Sequence, residues 1–455
     1  MFKDFREYLD LLESRDDLIR IKKEVSTKYE IAAFIRKTSD IQGPALLFEN
    51  VKGYRIPVAG GVYAARRRIA MALGCNEREM TKEYMKRETN LIPPKLVNDG
   101  PVKEKIITKD IDILKILPIV QHSERDVGPY ITAGVQIGKA HDSDITNVSM
   151  HRMMIVDKDK ITLEAPKARD IIRLVERAEE ANKPIEVATV IGMDPAILMG
   201  SQALVPLGVN ELEIAGGLRG APVEVVRGET IDVNVPATAE IVIEGETIPH
   251  LRVEDGPFGE YQGTYSGTIS VPVIKIKAIT MRENPIYQTC LTGMPETENH
   301  TLIYLPITSL AYKVVQPICP EIKGINLTPG GTNRHHIVVS IKKRHDYEAR
   351  NVILALLSAN LGVKLAIVVD DDIDVFNLMD VEWAINTRVQ ADEDVIIIPR
   401  LKNAGALDPS APGPAMSTKM GIDATVPLNE PRSKYDKVIV PGADKIDLSQ
   451  YMKKK

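Results

Sequence analysis

Between residues 105 and 300 the chain keeps returning to strand-forming text. TAGVQIGKA, TNVSMHRMMIV, KPIEVATVIG, PVEVVRG, AEIVIEGE and ISVPVIKIKAITM each alternate or run apolar, with turn residues between them. Only ARDIIRLVERAEEAN interrupts them with a helical period. So many strands with so few helices do not make a doubly wound parallel sheet. They fit an antiparallel, barrel-like α+β domain.

The flanks differ. The first hundred residues open with an amphipathic helix in which Phe5, Leu9, Leu12 and Leu18 recur near helical spacing, then pass through short strands such as ALLFENV and a helix over about Arg66–Leu73. The segment LIPPKLVNDGPVKEK, with Pro93, Pro94, Pro101 and Asn-Asp-Gly, is the linker candidate. After LIYLPITSLAYKVVQPI, which reads as a connection, IVVSIKKR, ARNVILALLSAN, KLAIVVDDDID, MDVEWAINTR and DVIIIPR follow in strand–helix–strand order. The expected division is 1–104, an N-terminal α/β domain; 105–305, the barrel-like domain; and 306–455, a C-terminal α/β domain ending in an extended arm.

Composition narrows the function. Of 455 residues 44% are hydrophobic and 27% charged, with net charge −5 and no long basic run beyond Arg66-Arg67-Arg68 and the terminal lysines. Nucleic-acid binding is therefore not expected. Cys75, Cys290 and Cys319 lie far apart in no metal-ligand spacing, which predicts a reducing compartment. The charged N-terminus carries no signal-peptide core, and no run is long enough to span a bilayer. A cytoplasmic protein is expected.

Several motifs have plain structural readings. Gly60-Gly61, Gly216-Gly217 and Gly330-Gly331 match no phosphate loop and read as turns. Asp370, Asp371, Asp372 and Asp374 follow an apolar strand, where carboxylates hold Mg²⁺ or form a solvated strand end. His335, His336 and His345 are too loosely spaced for a metal.

Three segments carry more. On a strand, TNVSMHRMMI turns Asn147, Ser149 and His151 one way and Val148, Met150 and Arg152 the other. An arginine among apolar neighbours requires a carboxylate. VEDGPFGEYQG supplies Asp255 and Glu260 on either side of a tight loop, and such a set can hold one acid ionised while another moves a proton. A solvated ion pair on a surface loop is the alternative. In SQALVPLGVNELEIAGGLRG, Glu211 and Glu213 precede a small-residue run.

Five separated segments, NELEIAGGLRG, VPATAEIVIEGE, EDGPFGEYQG, IVVDDDID and TKMGIDAT, resemble the UbiD family of reversible decarboxylases. The resemblance implies a split β-barrel flavin-binding middle domain, prenylated FMN, a divalent metal (Mn²⁺, with Mg²⁺ also suited) and K⁺. It also implies a flavin prenyltransferase as cofactor supplier and homo-oligomers, dimers or hexamers, built through the C-terminal domain. The catalytic trio falls on Arg152, Asp255 and Glu260. Metal ligation falls on Asn147 and Glu211, and Ser149, Met150, His151 and Arg152 lie along the cofactor. Ser201 and Gln202 match the loop near potassium and phosphate, and Lys419 matches a lysine approaching the phosphate. Where the family often has a metal-binding histidine this chain has Asp170, preceded by Arg169. Aspartate oxygen also suits Mn²⁺ or Mg²⁺. A cation is expected because a cofactor phosphate ~4 Å from Glu211 would be repelled by about 4 kcal/mol at an effective dielectric of 20.

The implied reaction is removal of CO₂ from an unsaturated carboxylic acid, a small-molecule substrate. Arg152 holds the carboxylate, Glu260 protonates the carbon and Asp255 orients Arg152. Two pocket positions, Glu164 and Arg169, replace apolar or amide residues of aromatic-acid members. If Arg169 grips a phosphate, trans-anhydromevalonate 5-phosphate, an isoprenoid precursor, is the expected substrate. If Arg169 and Glu164 pair with each other, an aromatic acid of the hydroxybenzoate type fits better. The rival readings are Mg²⁺-dependent phosphoryl transfer through Asp370–Asp374 and a non-catalytic flavin carrier.

Overall fold

The computed structural model describes residues 2–167, 169–402, 407–413 and 416–451; the terminal lysines lie outside them. Mixed helices and sheets form the α+β chain that the strand count predicted.

At the N-terminus, Asp4 caps the helix Phe5–Ser14 by accepting from the Glu7 amide, and Phe5, Tyr8, Leu9 and Leu12 are its buried side. Leu18, expected on this helix, instead begins the strand Leu18–Ile21. Asp16 takes a left-handed φ of 56° and ends the helical run. Asp17 next to it receives Arg67 and Arg68. Arg66 reaches Glu296, Asn326 and Asn333. The one internal basic run is thus spent on ion pairs within the molecule. The expected helix Arg66–Leu73 forms as read. Strands Leu18–Ile21, Ala45–Phe48 and Val58–Gly60 are completed by Tyr287–Thr289, which returns from the far end of the middle block. The linker candidate is itself woven in, since Lys95–Leu96 pairs with the strand Glu224–Arg227.

The middle block is one nine-stranded sheet. The strand Thr146–Met150 stands at one end of its path. The next strand in sequence, Met153–Asp157, stands one place in from the other end. Two residues, His151 and Arg152, must bridge strands that stand six places apart on a flat sheet. Two residues span at most ~7 Å, so the sheet has to curl until its ends meet, leaving a seam at His151–Arg152. This corrects the expectation of one continuous strand through residues 146–155: the chain breaks there to change neighbours.

The helix Asp170–Glu180 forms as expected, but Pro195–Gly200 and Glu211–Arg219 are helices as well. Gly216 and Gly217, read as a turn, lie inside the latter. A Cβ on Gly216 would run into Ile92 O and one on Gly217 into Asn90 O, so these glycines let the helix press on the 87–92 segment. The stretch 302–318, read as a connection, is mostly the helix Glu298–Val315, buried on nearly every side. With polar Glu298, His300, Thr301 and Thr308 buried alongside its apolar residues, and containing Pro306, it shows no amphipathic stripe.

The last unit is a five-stranded sheet in the order Ile322–Leu327, His336–Ile341, Leu365–Asp370, Met416–Ala424, Val395–Lys402. The first and fourth were not anticipated. Met416–Ala424 buries Ser417 and Lys419 and exposes Met416 and Met420, an inverted pattern that hides a strand. The acidic run is neutralised by arginines: Asp370 meets Arg388 and Arg432 at 2.8 and 2.9 Å, and Asp372 meets Arg388 at 2.6 Å. It is a structural clamp, which removes the support for phosphoryl transfer there. Among the described residues no helix is long and apolar enough to cross a membrane.

Gly217→Ala is expected to cost ~1–3 kcal/mol through overpacking and to lower the thermal midpoint by a few degrees, measured by calorimetry against wild type.

Candidate active site

The seam places Arg152 where no strand neighbour can shield it. Its side chain is 9% exposed, so its charge needs partners. Nη2 donates to Asp255 Oδ1 at 3.2 Å, Nη1 donates to Glu260 Oε1, and Nη1 lies 3.7 Å from Glu164 Oε2. The Phe258 ring covers the guanidinium at 4.7 Å. Burial works against the Arg152 charge, and Glu164, Glu260 and Asp255 more than restore it, so its pKa rises. The trio of Arg152, Asp255 and Glu260 expected from the sequence is assembled.

Each acid is positioned separately. Asp255 ends the long strand Ile241–Asp255 and is fully buried; Tyr130 donates to its Oδ1 at 3.2 Å and Thr162 to its Oδ2 at 2.8 Å. Glu260 sits in the following loop. Asp126 anchors that loop through the amides of Gly259 and Ser123 at 2.9 and 2.8 Å. On the other side Tyr261 donates to Thr332 O at 2.5 Å, while His300 Nε2 donates to Tyr261 O at 2.6 Å. Tyr130 and Thr162 could not be found from sequence, being 125 and 93 positions from Asp255. Phe258 lay in the quoted loop motif but signalled nothing polar.

Glu164 corrects one expectation. Its ion pair is with Arg152, and among the described residues it forms none with Arg169. Burial pushes its carboxyl up to about 7, with Arg152 opposing and Glu260 and Asp255 adding. Arg169 precedes the helix Asp170–Glu180 and makes no capping bond. Burial lowers its pKa, and the charge of Arg334 lowers it further.

A second cluster lies on the other side of the seam. Asn147 Nδ2 donates to Glu211 Oε1 at 2.7 Å and the Val148 amide to Glu211 Oε2 at 2.8 Å. Ser149 donates to Asn147 Oδ1 at 2.9 Å, so His151 Nε2, 2.9 Å from Ser149 Oγ, is the donor of the next link. Burial and then Arg169 push His151 down to about 3, which keeps it neutral. Burial pushes Glu211 up to about 7, with Asp170 adding to the rise. Asn147, Glu211 and Asp170 offer oxygen donors only, and a hard divalent cation would relieve the carboxylate repulsion; the residues fit such an ion. Asp170 is otherwise paired with Arg173 at 3.1 Å. Gln136, directly opposite Ser149 and on the same sheet face, has a buried side-chain amide with neither atom hydrogen-bonded. Such an orphaned amide fits the polar edge of a flavin ring.

The remaining expected residues lie apart from these bonds. Ser201 ends the helix Pro195–Gly200 and donates to Leu198 O, with Gln202 Nε2 3.3 Å from Ser201 Oγ. Lys419 is buried in the C-terminal sheet and donates to Leu357 O at 2.7 Å.

Known proteins resemble the chain over nearly its whole length. Residues 9–88, 95–295 and 300–424 match the N-terminal, Rift-related and C-terminal domains described for 3-octaprenyl-4-hydroxybenzoate carboxy-lyase. The chain is 36% identical to phenolic acid decarboxylase of Sedimentibacter hydroxybenzoicus, covering 97% of this chain and 95% of the relative. It is 34% identical to anhydromevalonate phosphate decarboxylase of Methanothermobacter thermautotrophicus, covering 93% and 97%. Among solved structures it is similar to the UbiD-class enzyme HmfF from Pelotomaculum thermopropionicum in complex with FMN, with TM-score 0.93, 42% identity, and 99% and 100% coverage.

Glu164 gives a test of the electrostatics. Its pKa lies near 7 folded against 4.5 ordinarily, so the folded state holds the extra proton and stability falls as pH rises through that window. Glu164→Gln, which keeps the shape without the charge, is expected to be more stable than wild type at pH 8, by up to about 3 kcal/mol, and no more stable at pH 4. Thermal unfolding at the two pH values measures it.

Proposed function

The chain belongs to the UbiD family of decarboxylases, and from that membership we propose that it removes CO₂ from an α,β-unsaturated carboxylic acid with prenylated FMN bound against the seam of its barrel. The single observation that carries the reading is the buried Arg152 held between Asp255 and Glu260. A flavin carrier has no use for such a set.

Loss of CO₂ leaves an electron pair on carbon that no side chain can stabilise, and the flavin, when bound, supplies the sink. The chain's own residues do the rest. Arg152 binds the substrate carboxylate, its orientation set by Asp255, which Tyr130 and Thr162 hold still. Glu260 turns from Arg152 to protonate the carbon that has lost CO₂. Gln136, Ser149, Met150, His151 and Arg169 would line the flavin. Asn147, Glu211 and Asp170 would hold Mn²⁺ or Mg²⁺ to offset the charge of its phosphate, and Ser201 and Gln202 would take K⁺. Lys419 as a phosphate contact has the least support, its amine being committed to Leu357 O. A flavin prenyltransferase supplies the cofactor in a cytoplasmic setting. The homo-oligomer forms through the C-terminal unit, whose arm leaves Val438 95% and Ile439 83% exposed.

The substrate we favour carries a phosphate, as trans-anhydromevalonate 5-phosphate does. Among the described residues Arg169 forms no ion pair, Glu164 turning to Arg152 and Asp170 acting on it only through its charge, and a largely buried guanidinium suits a phosphate. The second reading, an aromatic hydroxy acid, is supported by the similarity to phenolic acid decarboxylase.

Glu260→Gln is expected to lower turnover by ~10²–10⁴-fold while flavin content, read from the visible spectrum, stays near wild type. Normal turnover would sink the assignment. Holoenzyme is expected to release CO₂ from the phosphorylated acid and to lose that activity in Arg169→Ala. Good turnover of a hydroxybenzoate with none of the phosphorylated acid would overturn the substrate reading alone.

A further inference from the structure

Decarboxylation consumes a proton in every turnover, and the cluster around Arg152 holds one more acid than the trio needs. Three carboxylates, Asp255, Glu260 and Glu164, share one guanidinium in a pocket where their side chains are 0%, 12% and 16% exposed. All three ionised would leave two uncompensated negative charges in a buried site. One of them has to carry a proton.

The hydrogen bonds single out which. Asp255 accepts from Arg152, Tyr130 and Thr162, so both its oxygens are engaged. Glu260 accepts from Arg152 Nη1. Among the described residues Glu164 accepts no hydrogen bond; its contact with Arg152 at 3.7 Å is a charge contact too long to be one. A mostly buried carboxyl with no donor, facing two other acids, is the one that keeps its proton. Glu164 and Glu260 also converge on the same nitrogen, Nη1. The two acids therefore lie within reach of each other by a side-chain rotation or one bridging water.

We propose that Glu164 is a second proton carrier of the decarboxylation, holding a proton in the resting enzyme and passing it to Glu260, which delivers it to the product carbon. This rests on the function proposed above. The C–CO₂ bond breaks and CO₂ leaves; the Glu164 O–H bond breaks as an O–H bond forms on Glu260, and that O–H bond breaks in turn as the C–H bond of the product forms. Glu164 regains a proton from water through its partly exposed edge. The groups facing Glu164 are Arg152, Glu260 and Asp255. The rise of its pKa to about 7 agrees with a carrier poised at neutral pH.

The test uses holoenzyme of wild type, Glu164→Gln, Glu164→Asp and Glu260→Gln, with kcat followed against pH. Wild type is expected to lose turnover as pH rises through about 7, because the carrier must be protonated. Glu164→Gln should lower kcat of the order of 10²-fold and abolish that limb, and Glu164→Asp should restore part of both. Infrared spectra of the full chain without cofactor give a second readout: at pH 6, Glu164→Gln should lack one protonated-carboxyl band present in wild type. Unchanged rate and profile in Glu164→Gln overturn the proposal. So does a loss of rate equal at every pH with the limb in place, the mark of a structural role. So does a folded Glu164→Asp that behaves as Glu164→Gln, or an unchanged carboxyl band. Full activity in Glu260→Gln would instead overturn the functional reading itself.

Discussion

A single guanidinium, that of Arg152, holds the middle of this protein together electrically. It sits at the seam where the barrel's sheet meets itself, and a buried cation there is tolerable only with anions beside it. The acids come from distant parts of the chain: Asp255 from the end of the longest strand, Glu260 from the loop beyond it, Glu164 from just past the strand Lys160–Thr162. Asp255 accepts from Tyr130 and Thr162 besides Arg152, so polar groups of three strands converge on one buried carboxyl.

The same two-residue break divides the chemistry. Arg152 turns toward the acids, while its neighbour His151 turns back along the strand to Ser149, Asn147 and Glu211. The proton-handling side and the side suited to a flavin and a cation are thus a residue apart, joined through adjacent backbone positions. Neutral His151 and raised Glu211 reflect how dry this second side is.

The C-terminal unit takes part as well. Arg66 bridges Glu296 to Asn326 and Asn333, and Tyr261, adjacent to Glu260, bonds Thr332 O in the turn that leads to Arg334. The loop bearing Glu260 is therefore fastened at both ends, to the barrel through Asp126 and to the last unit through Tyr261. Arg169 and Arg334 bring two positive charges to this boundary.

The sequence by itself determined the α+β class, the strand-rich middle, the helix at Arg66–Leu73 and the motif residues Arg152, Asp255, Glu260, Asn147 and Glu211, because periodicity and local motifs are properties of short segments. It could not show the helix Glu211–Arg219, whose glycines are explained only by the 87–92 backbone pressed against them, nor the helix Glu298–Val315, which buries polar and apolar residues alike and so shows no period. Nor could it show the break at His151–Arg152. The run TNVSMHRMMI alternates well enough to be one strand, and it is interrupted only because its two halves pair with opposite ends of the sheet. The partner of Glu164 was likewise decided in three dimensions. Arg169 is five positions away and Arg152 twelve, yet the barrel's curvature, and not nearness in sequence, sets which charge it meets.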